Sequence, residues 1–296
     1  MTAREKVAFV GAGNMGRPMI RHLVTAGYRV AVSVRRPSAR DAVAALGAEP
    51  VDSPAAAARG ASFVLTNVTT TSDVEEVLLG ADGAALAAPR GTICIDFSTI
   101  SPLATRGISG RLEAMGLHML DAPVSGGVAG ATAATLSIMV GGRPEVFQRA
   151  EPLFTVLGRV VTHIGGSGAG QVAKACNQIV QVVNIQGIAE AMLFAGAFGV
   201  DQSKVLAAIS AGMAGSKMLD LMGPKMAARN FSAGIEARLH AKDFGLIREV
   251  SEEAGVVLPV TARVDEQLRR LLDLGWGSDD TSSLLRVLEA QRAKQG

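Results

Sequence analysis

Aromatic side chains and net charge are both scarce in this chain of 296 residues. Tryptophan and tyrosine occur once each, and the formal net charge is only +2. A protein that binds nucleic acid usually carries a clear basic excess or a basic stripe. The near balance of charge therefore argues against a nucleic-acid partner. The hydrophobic share of 48% is enough to build one large or two ordinary cores.

Cysteine is scarce as well, and the histidines are scattered. The two cysteines, Cys94 and Cys176, lie far apart, each inside an apolar pattern. We therefore expect buried, reduced thiols in preference to redox or metal roles. The histidines show no ligand spacing with other metal-binding side chains, so no metal site is predicted; they are His22, His118, His163 and His240.

Long apolar runs are also missing. The N-terminal stretch "MTAREKVAFVGAG" leads into a strand without the apolar core of a signal peptide. The longest uncharged helical stretch is interrupted by Gln and Asn, which is not typical of a membrane span. We expect a cytoplasmic protein without a membrane partner.

The chain divides into two halves with different patterns. Short apolar runs alternate with helix-sized segments in the first half, which predicts βαβ units and a mainly parallel sheet. These runs are Val7–Val10, Val30–Val34, Phe63–Thr66, Thr92–Asp96, Leu117–Asp121, Leu136–Val140 and Val160–His163. From Gly170 onward the pattern is helical, with breaks near Gly199, Gly212–Gly215, Asn230–Gly234, Gly255–Pro259 and Gly275–Ser278. The predicted fold is α/β: a Rossmann-type dinucleotide-binding domain over 1–166, joined by a long helix to an all-α domain over 167–296.

A glycine fingerprint follows the first strand. The stretch "VGAGNMG" runs from Val10 to Gly16 and stands between a predicted strand and a predicted helix. In that setting the first two glycines permit a tight turn and close approach to a pyrophosphate, and the third lets the helix pack on the strand. We predict cofactor binding by Gly11, Ala12, Gly13, Asn14, Met15 and Gly16.

The end of the second strand indicates which dinucleotide is bound. An NAD site normally has an acidic residue there for the ribose hydroxyls, and none occurs between Glu5 and Asp41. Arg35 and Arg36 stand where a ribose phosphate would lie, and guanidinium groups suit phosphate oxygens. Two solvated arginines remain the alternative. The pattern favours NADP, with NAD the second choice.

A long helical pattern beginning near Gly170 carries one charge, Lys174, before Glu190. The polar residues Gln171, Lys174, Asn177, Gln178, Gln181 and Asn184 recur at helical spacing. Solvated helix faces are usually rich in Glu, Lys and Arg, whereas amides suit a partly enclosed surface. The lysine is thus either paired structurally or functional, and the pattern favours neither.

A glycine-rich segment lies between the two halves. The motif "DAPVSGG" supplies Ser125, Gly126 and Gly127, which suit a carboxylate as well as they suit a plain connecting loop. Asp96 and Asp121, at strand ends, are expected to be structural caps or turn formers.

Together these motifs resemble the β-hydroxyacid dehydrogenase family, and within it the branch of tartronate semialdehyde (2-hydroxy-3-oxopropionate) reductases. The resemblance covers nearly the whole chain. It rests on "GAGNMGRPM", "DFSTISP", "DAPVSGG", "GAGQVAKACNQ" and "LHAKDF", with "AGMAGSKMLD" and "RNFSAG" added by the reductase branch. The order and spacing of these segments agree across both predicted domains.

The resemblance implies a role for each motif. Lys174 would be the catalytic lysine that protonates the aldehyde oxygen, and Ser125, Gly126 and Gly127 would hold the substrate carboxylate. Asn177 would contact the substrate, with Gln178 beside it. Four more residues would contact the cofactor: Val68 and Thr69, where a Leu-Pro pair is more usual, Thr99, and Lys242, fixed by Asp243.

The implied reaction is NADP(H)-dependent reduction of tartronate semialdehyde to glycerate. Another small β-hydroxy acid, such as 3-hydroxyisobutyrate, or succinic semialdehyde is the alternative substrate. Imine reductases share the architecture but usually lack the lysine. A dinucleotide-binding module without catalysis is the alternative of a different class. Apolar stretches in the helical half, such as "AEAMLFAGAFGV", predict a homodimer or homotetramer.

Overall fold

The computed structural model describes residues 5–293, so part of the N-terminal stretch considered for a signal peptide (residues 1–4) lies outside the described residues. The chain divides into two units, Met1–Lys174 and Ala175–Gly296. The first unit holds the sheet and the second is helical. This confirms the predicted α/β class with an all-α second part. The predicted boundary between residues 166 and 167 stays a prediction; it lies just before a long helix, Ala169–Ala197, that contains residues of both units.

The first unit is built on one sheet, which has nine strands within the described residues and the order β3-β2-β1-β4-β5-β6-β8-β7, with β9 paired to β8. The first six strands in space are parallel, in the 3-2-1-4-5-6 order of a dinucleotide-binding fold. The strands are β1 Lys6–Val10, β2 Arg29–Ser33, β3 Glu49–Val51, β4 Phe63–Thr66, β5 Ile93–Asp96, β6 His118–Asp121, β7 Val124–Ser125, β8 Leu136–Gly141 and β9 Gly158–Gly165.

Seven of these strands lie where apolar runs predicted them, and β3 and β7 were missed. With only three and two residues, β3 and β7 are too short to show an apolar period. The antiparallel pairing of β7 and β6 with β8 was also missed, because strand direction depends on connections and not on local pattern.

Both faces of the sheet are covered, which explains the nearly continuous apolar runs. Successive side chains of a strand point to opposite faces. On β1, Val7 and Phe9 join one core cluster with α1 and α7, whereas Ala8 joins the other with α3, α4 and α5. The helices of this unit are α1 Gly16–Thr25, α2 Arg40–Ala44, α3 Pro54–Ala58, α4 Thr71–Leu79, α5 Pro102–Ala114, α6 Gly127–Thr132 and α7 Pro144–Leu157.

Helix starts in this unit follow from short polar side chains. Ser53, Thr70 and Ser101 accept hydrogen bonds from the first turn of α3, α4 and α5. Thr70 and Asp73 form a reciprocal capping box. The starts of α4 and α5 fix the loops that follow β4 and β5, at the carboxyl ends of the strands.

The second unit is a set of helices around its own apolar core, which includes Met192, Phe244 and Leu268. The breaks predicted from glycine, proline and asparagine fall between these helices, and Pro259 opens the helix Pro259–Asp273, as its fixed φ favours. The helices are α8 Ala169–Ala197, α9 Gln202–Ser210, α10 Lys217–Ala227, α11 Ala237–Glu253, α12 Pro259–Asp273 and α13 Leu284–Arg292.

Helix α8 is the long predicted helix, and its start is fixed by close backbone packing. A Cβ on Gly170 would lie 2.4 Å from the Met139 oxygen, so only glycine fits there. By length and composition α8 is the one described helix that could cross a membrane, a property that core helices share.

The two cysteines differ in exposure. Cys176, on α8, is exposed, so the expectation that it is buried was wrong; Cys94 is buried. An apolar neighbourhood in sequence does not say which side of a helix is covered.

Candidate functional site

The glycine turn lies between β1 and α1, and two of its glycines are required by backbone packing. Gly11 has φ 108°, and a Cβ there would lie 2.0 Å from the Asn67 oxygen. A Cβ on Gly16 would lie 2.0 Å from the Gly11 oxygen. It would also lie 3.0 Å from the Phe9 side chain of β1, so the third glycine lets α1 pack on the strand, as the fingerprint predicts, as well as on the turn. The first is needed because the loop after β4 crosses it.

Gly13 has the opposite environment. It is exposed, and a Cβ there would meet nothing within 4 Å, so no protein neighbour explains the glycine. Open space over the amide end of α1 is what a pyrophosphate group needs, and the turn fits that group. Asn14 is exposed beside it, whereas Ala12 and Met15 are half-buried and pack against the hydrophobic core.

Arg35 and Arg36 follow the end of β2 and are both exposed. The Thr70 hydroxyl, and more weakly the Arg35 guanidinium, lower the pKa of Asp73 at the start of α4. Arg35 therefore lies near the loop after β4, on the carboxyl side of the sheet. The predicted contact of Arg35 and Arg36 with a ribose phosphate stays a prediction.

The loops after β4 and β5 are joined to each other. The Val68 amide donates to the Ser98 hydroxyl at 2.9 Å. Val68 and Thr99 are half-buried, and Thr69 is exposed. Parallel pairing of β4 with β5 brings these predicted cofactor residues to one edge of the sheet.

Lys174 lies beside the predicted carboxylate loop. Its Nζ donates to the Val124 oxygen at 2.9 Å, and its side chain is only 8% exposed. Ser125 is the next residue after Val124, and Gly126 and Gly127 follow with φ of 131° and 59°. The ammonium and the Ser-Gly-Gly loop are thus neighbours within the first unit, although 50 residues separate Lys174 from Val124.

Two buried carboxylates support this edge of the sheet, as their positions at strand ends predict. Asp121 accepts from the Gly168 amide at 2.8 Å and the Gln171 amide at 2.9 Å, which caps the start of α8. Asp96 accepts from the Thr66 hydroxyl and the Ser98 amide. Burial raises the pKa of Asp121, and it raises that of Asp96 from 3.8 to about 6.

Sequence reasoning missed the part played by Gln171, although it noted the residue in the polar stripe. Its side chain is 2% exposed, and its amide bonds to the backbone on both sides of Thr99. The one signal in the sequence was its position one helical turn before Lys174. The hydrogen-bond partners of the amide belong to the loop after β5, and no local sequence pattern predicts where that loop lies.

Further residues of the predicted site lie in the second unit. The Asn177 amide donates to the side-chain oxygen of Gln178, and Gln178 donates to the Asp243 carboxylate at 2.6 Å. Lys242 forms an ion pair with the same carboxylate, with 3.0 Å between Nζ and Oδ1. Asp243 therefore holds Lys242 and Gln178 together, as expected of a residue that fixes the lysine.

No group of three or more His, Cys, Asp or Glu side chains within residues 5–293 is arranged to hold a metal ion. Both cysteines are free thiols, and burial raises the pKa of Cys94 to about 12, which keeps it unreactive. The groups that the structure brings to this edge of the sheet include the Lys174 ammonium, the carboxylates of Asp96 and Asp121, hydroxyls and amides.

Two family models match the chain. Residues 6–165 match the NAD binding domain of 6-phosphogluconate dehydrogenase. Residues 168–288 match the model described as NAD-binding of NADP-dependent 3-hydroxyisobutyrate dehydrogenase. The two matches together cover nearly all of the described residues.

Full-length relatives agree with these models. The chain is 38% identical over 284 residues to 2-hydroxy-3-oxopropionate reductase of Escherichia coli, covering 96% of this chain and 97% of that protein. It is also 38% identical over 293 residues to NAD-dependent L-serine dehydrogenase of Pseudomonas aeruginosa, covering 96% and 98%. The solved structure of Mycobacterium tuberculosis 3-hydroxyisobutyrate dehydrogenase with L-serine superposes with a TM-score of 0.88 at 32% identity, covering 96% and 99%.

Proposed function

The chain belongs to the β-hydroxyacid dehydrogenase family of NAD(P)-dependent enzymes, and from this premise we propose that it reduces tartronate semialdehyde to glycerate with NADPH. The observation that carries the proposal is the hydrogen bond from Lys174 to the Val124 oxygen. It places a buried ammonium beside the loop that would hold a small carboxylate.

In the proposed reaction the acid is held first. The Ser125 hydroxyl and the amides of the two glycines that follow supply donors for the substrate carboxylate. Lys174 then lies next to the carbonyl carried by the same small molecule, where its ammonium stabilises negative charge on the oxygen and donates the proton. The nicotinamide, when bound, supplies the hydride for the carbonyl carbon. Water returns a proton to the Lys174 amine after each turnover.

The proposed cofactor contacts follow the same edge of the sheet. The turn from Gly11 to Gly16 would hold the pyrophosphate. Val68 and Thr69 would line the cofactor cleft, and Thr99 would contact the cofactor near the nicotinamide. Lys242, held by Asp243, would contribute from the second unit, and Asn177 and Gln178 would contact the substrate. The chemistry of these donor groups suits an anionic cofactor and a small polar acid.

The first test is NADPH consumption with tartronate semialdehyde, measured for the wild type and for Lys174→Ala. Loss of the amine is expected to lower the rate by roughly a hundred- to ten-thousand-fold. The matched control is Lys204→Ala, which removes an exposed lysine of α9 and should leave the rate unchanged. A Lys174→Ala enzyme that turns over at the wild-type rate would exclude the proposed mechanism.

Turnover measured with a panel of small acids identifies the substrate. The equal identity to a reductase and to a serine dehydrogenase makes L-serine a competing substrate, and the likeness to 3-hydroxyisobutyrate dehydrogenase makes 3-hydroxyisobutyrate another. Succinic semialdehyde completes the panel. The largest kcat/KM is expected for tartronate semialdehyde. Cofactor binding without turnover of any of these acids would favour a non-catalytic dinucleotide-binding module.

The preference for NADP over NAD is part of the proposal. It is supported by the two exposed arginines after β2 and by the missing acidic residue at the end of that strand. The double variant Arg35→Ala and Arg36→Ala should lower kcat/KM with NADPH about 10- to 100-fold, with little change for NADH. An equal loss with both cofactors would contradict the preference.

We also propose that the chain forms a homodimer or homotetramer in the cytoplasm. Val180 and Phe194 lie on α8 and Phe198 directly follows it, with 63%, 67% and 70% of their surfaces exposed. Such a stripe suits a second copy of the chain better than water. Light scattering should give a multiple of the chain mass, and Phe194→Glu with Phe198→Glu should reduce it. Val257→Glu, at another exposed apolar position, is the control.

A further inference from the structure

Both polar atoms of the Gln171 side-chain amide form hydrogen bonds with the loop after β5. Its Nε2 donates to the Ser98 oxygen at 2.8 Å, and its Oε1 accepts from the Ile100 amide at 3.2 Å. The two contacts flank Thr99, the residue expected to meet the cofactor near the nicotinamide. The side chain is 2% exposed, and both backbone partners belong to buried residues. The amide therefore replaces water for two groups that would otherwise be unsatisfied.

The same amide is connected to the loop after β4. Ser98, which accepts from Gln171 through its backbone oxygen, accepts from the Val68 amide through its hydroxyl. Gln171 is therefore linked to two of the loops that carry predicted cofactor contacts in the first unit, directly to the loop after β5 and through Ser98 to the loop after β4. A contiguous chain of hydrogen bonds of this kind restricts relative movement of the groups it joins.

The backbone of Gln171 is anchored at the other end. Its amide donates to the Asp121 carboxylate, and Lys174 follows it by one turn on the same side of α8. Lys174 in turn donates to the Val124 oxygen, next to the Ser-Gly-Gly loop. Gln171 thus stands between the proposed proton donor and the loops for the nicotinamide, all within the first unit.

We infer that Gln171 is a positioning residue, which sets the distance between the Lys174 ammonium and the loops that hold the nicotinamide. The inference rests on the proposed function for its catalytic consequence, but its structural part does not. Reaction rates depend steeply on such distances, and a displacement of about 1 Å can cost about a hundredfold in rate. A glutamine suits the position because it must donate to a carbonyl and accept from an amide simultaneously.

The first arm of the test needs no substrate. Gln171→Met keeps the size of the side chain and removes both hydrogen bonds. Hydrogen exchange at the Ile100 amide of the cofactor-free protein should become at least about 10-fold faster. The matched control is Gln186→Met, which changes another buried glutamine of α8 whose amide donates to Glu190. The control should leave exchange at Ile100 unchanged.

The second arm measures cofactor affinity. Gln171→Met should weaken NADPH binding about 10-fold, as measured by the fluorescence of the nicotinamide. Binding of 2′,5′-ADP, which has no nicotinamide, should change less than twofold. Ser98→Ala, a smaller change in the same network, should weaken NADPH binding by a lesser factor, and it keeps the test available if Gln171→Met does not fold. Equal losses for both ligands would overturn the inference.

The third arm measures turnover per site that binds NADPH, so that misfolded protein does not count. For Gln171→Met, kcat per site should fall about 10- to 100-fold while KM for the acid changes less than about threefold. A merely structural role would lower the number of sites and leave kcat per site intact, and that result would overturn the inference. A wild type that binds NADPH but reduces no acid would refute the proposed function, and the first two arms would still decide the role of Gln171.

Discussion

Two buried aspartates, one in each unit, have pKa values that are shifted in opposite directions. Asp121 in the first unit and Asp280 in the second are 1% and 0% exposed, and each accepts hydrogen bonds from backbone amides. Burial raises the pKa of Asp121. Burial also acts to raise the pKa of Asp280, but Lys225 and the backbone amides outweigh it and the pKa is lowered.

The difference lies in a cation. Lys225 Nζ is 2.7 Å from the Asp280 carboxylate, whereas Asp121 is bonded to the amides at the start of α8. In the second unit the ion pair joins α10 to the segment before α13, a structural task. In the first unit the carboxylates and amides hold loops around the proposed site. Uncharged backbone donors bind the Asp121 carboxylate there, and the Lys174 ammonium lies beside the carboxylate loop.

Removing the Lys225 ammonium is expected to have the largest effect on stability. Lys225→Met would turn Asp280 into a buried carboxylate without its cation and should lower the free energy of unfolding by about 3 kcal/mol. Urea unfolding followed by circular dichroism measures the loss. Lys217→Met, at an exposed lysine of the same helix, is the control and should cost less than about 0.5 kcal/mol. Adding Asp280→Asn to Lys225→Met should recover part of the loss, and a double variant without recovery would contradict the ion-pair account.

Asp96 tests the opposite case to Asp280, because its pKa is raised from 3.8 to about 6, mainly by burial. The folded state holds its proton more tightly than the unfolded state does. The contribution of Asp96 to stability is therefore fully present below pH 3.8 and is lost as pH rises through about 6. Relative to Asp96→Asn, the wild type should lose up to about 3 kcal/mol between these limits.

Unfolding in urea across this pH range, for the wild type and Asp96→Asn, measures the effect. The asparagine keeps an oxygen for the Thr66 hydroxyl and the Ser98 amide, so the difference reports the charge. Asp280 has a lowered pKa, so its contribution should instead be lost as pH falls below its ordinary range. A difference between wild type and Asp96→Asn that does not change with pH would contradict the role of burial.

The smallest effect is expected for an ion pair in water. Arg229 makes two hydrogen bonds to Glu289, at 2.7 Å and 2.9 Å, but its side chain is 56% exposed. Arg229→Lys should cost only about 0.5 kcal/mol. Arg263→Lys, at a more exposed pair, should cost nothing measurable by thermal unfolding. A loss as large as that of Lys225→Met would show that exposure does not separate the two pairs.

The sequence predicted regular elements well where the local pattern was strong. The apolar runs gave seven of the strands, and glycine and proline marked the breaks between helices. It also indicated the glycine turn, the structural character of Asp96 and Asp121, and the partly enclosed amide face of α8, on which Gln171 and Gln178 are buried but Asn184 is exposed. Strands β3 and β7 were too short to predict, and the exposure of Cys176 was missed because periodicity does not say which helix face is covered.

What the sequence alone determined are properties that rest on neighbours along the chain: the α/β class, the glycine turn before α1 and the placing of Lys174 on an almost uncharged helix. The tertiary structure decided which distant groups meet. Pairing of β4, β5 and β6 in register brings Ser98, Asp96 and Asp121 to one edge of the sheet. Close backbone packing of α8 there brings Gln171 to the loop around Thr99 and Lys174 to Val124. The physical reason is that hydrogen bonds between residues 50 or more positions apart depend on how helices and strands pack. The local propensity of a segment does not contain that information.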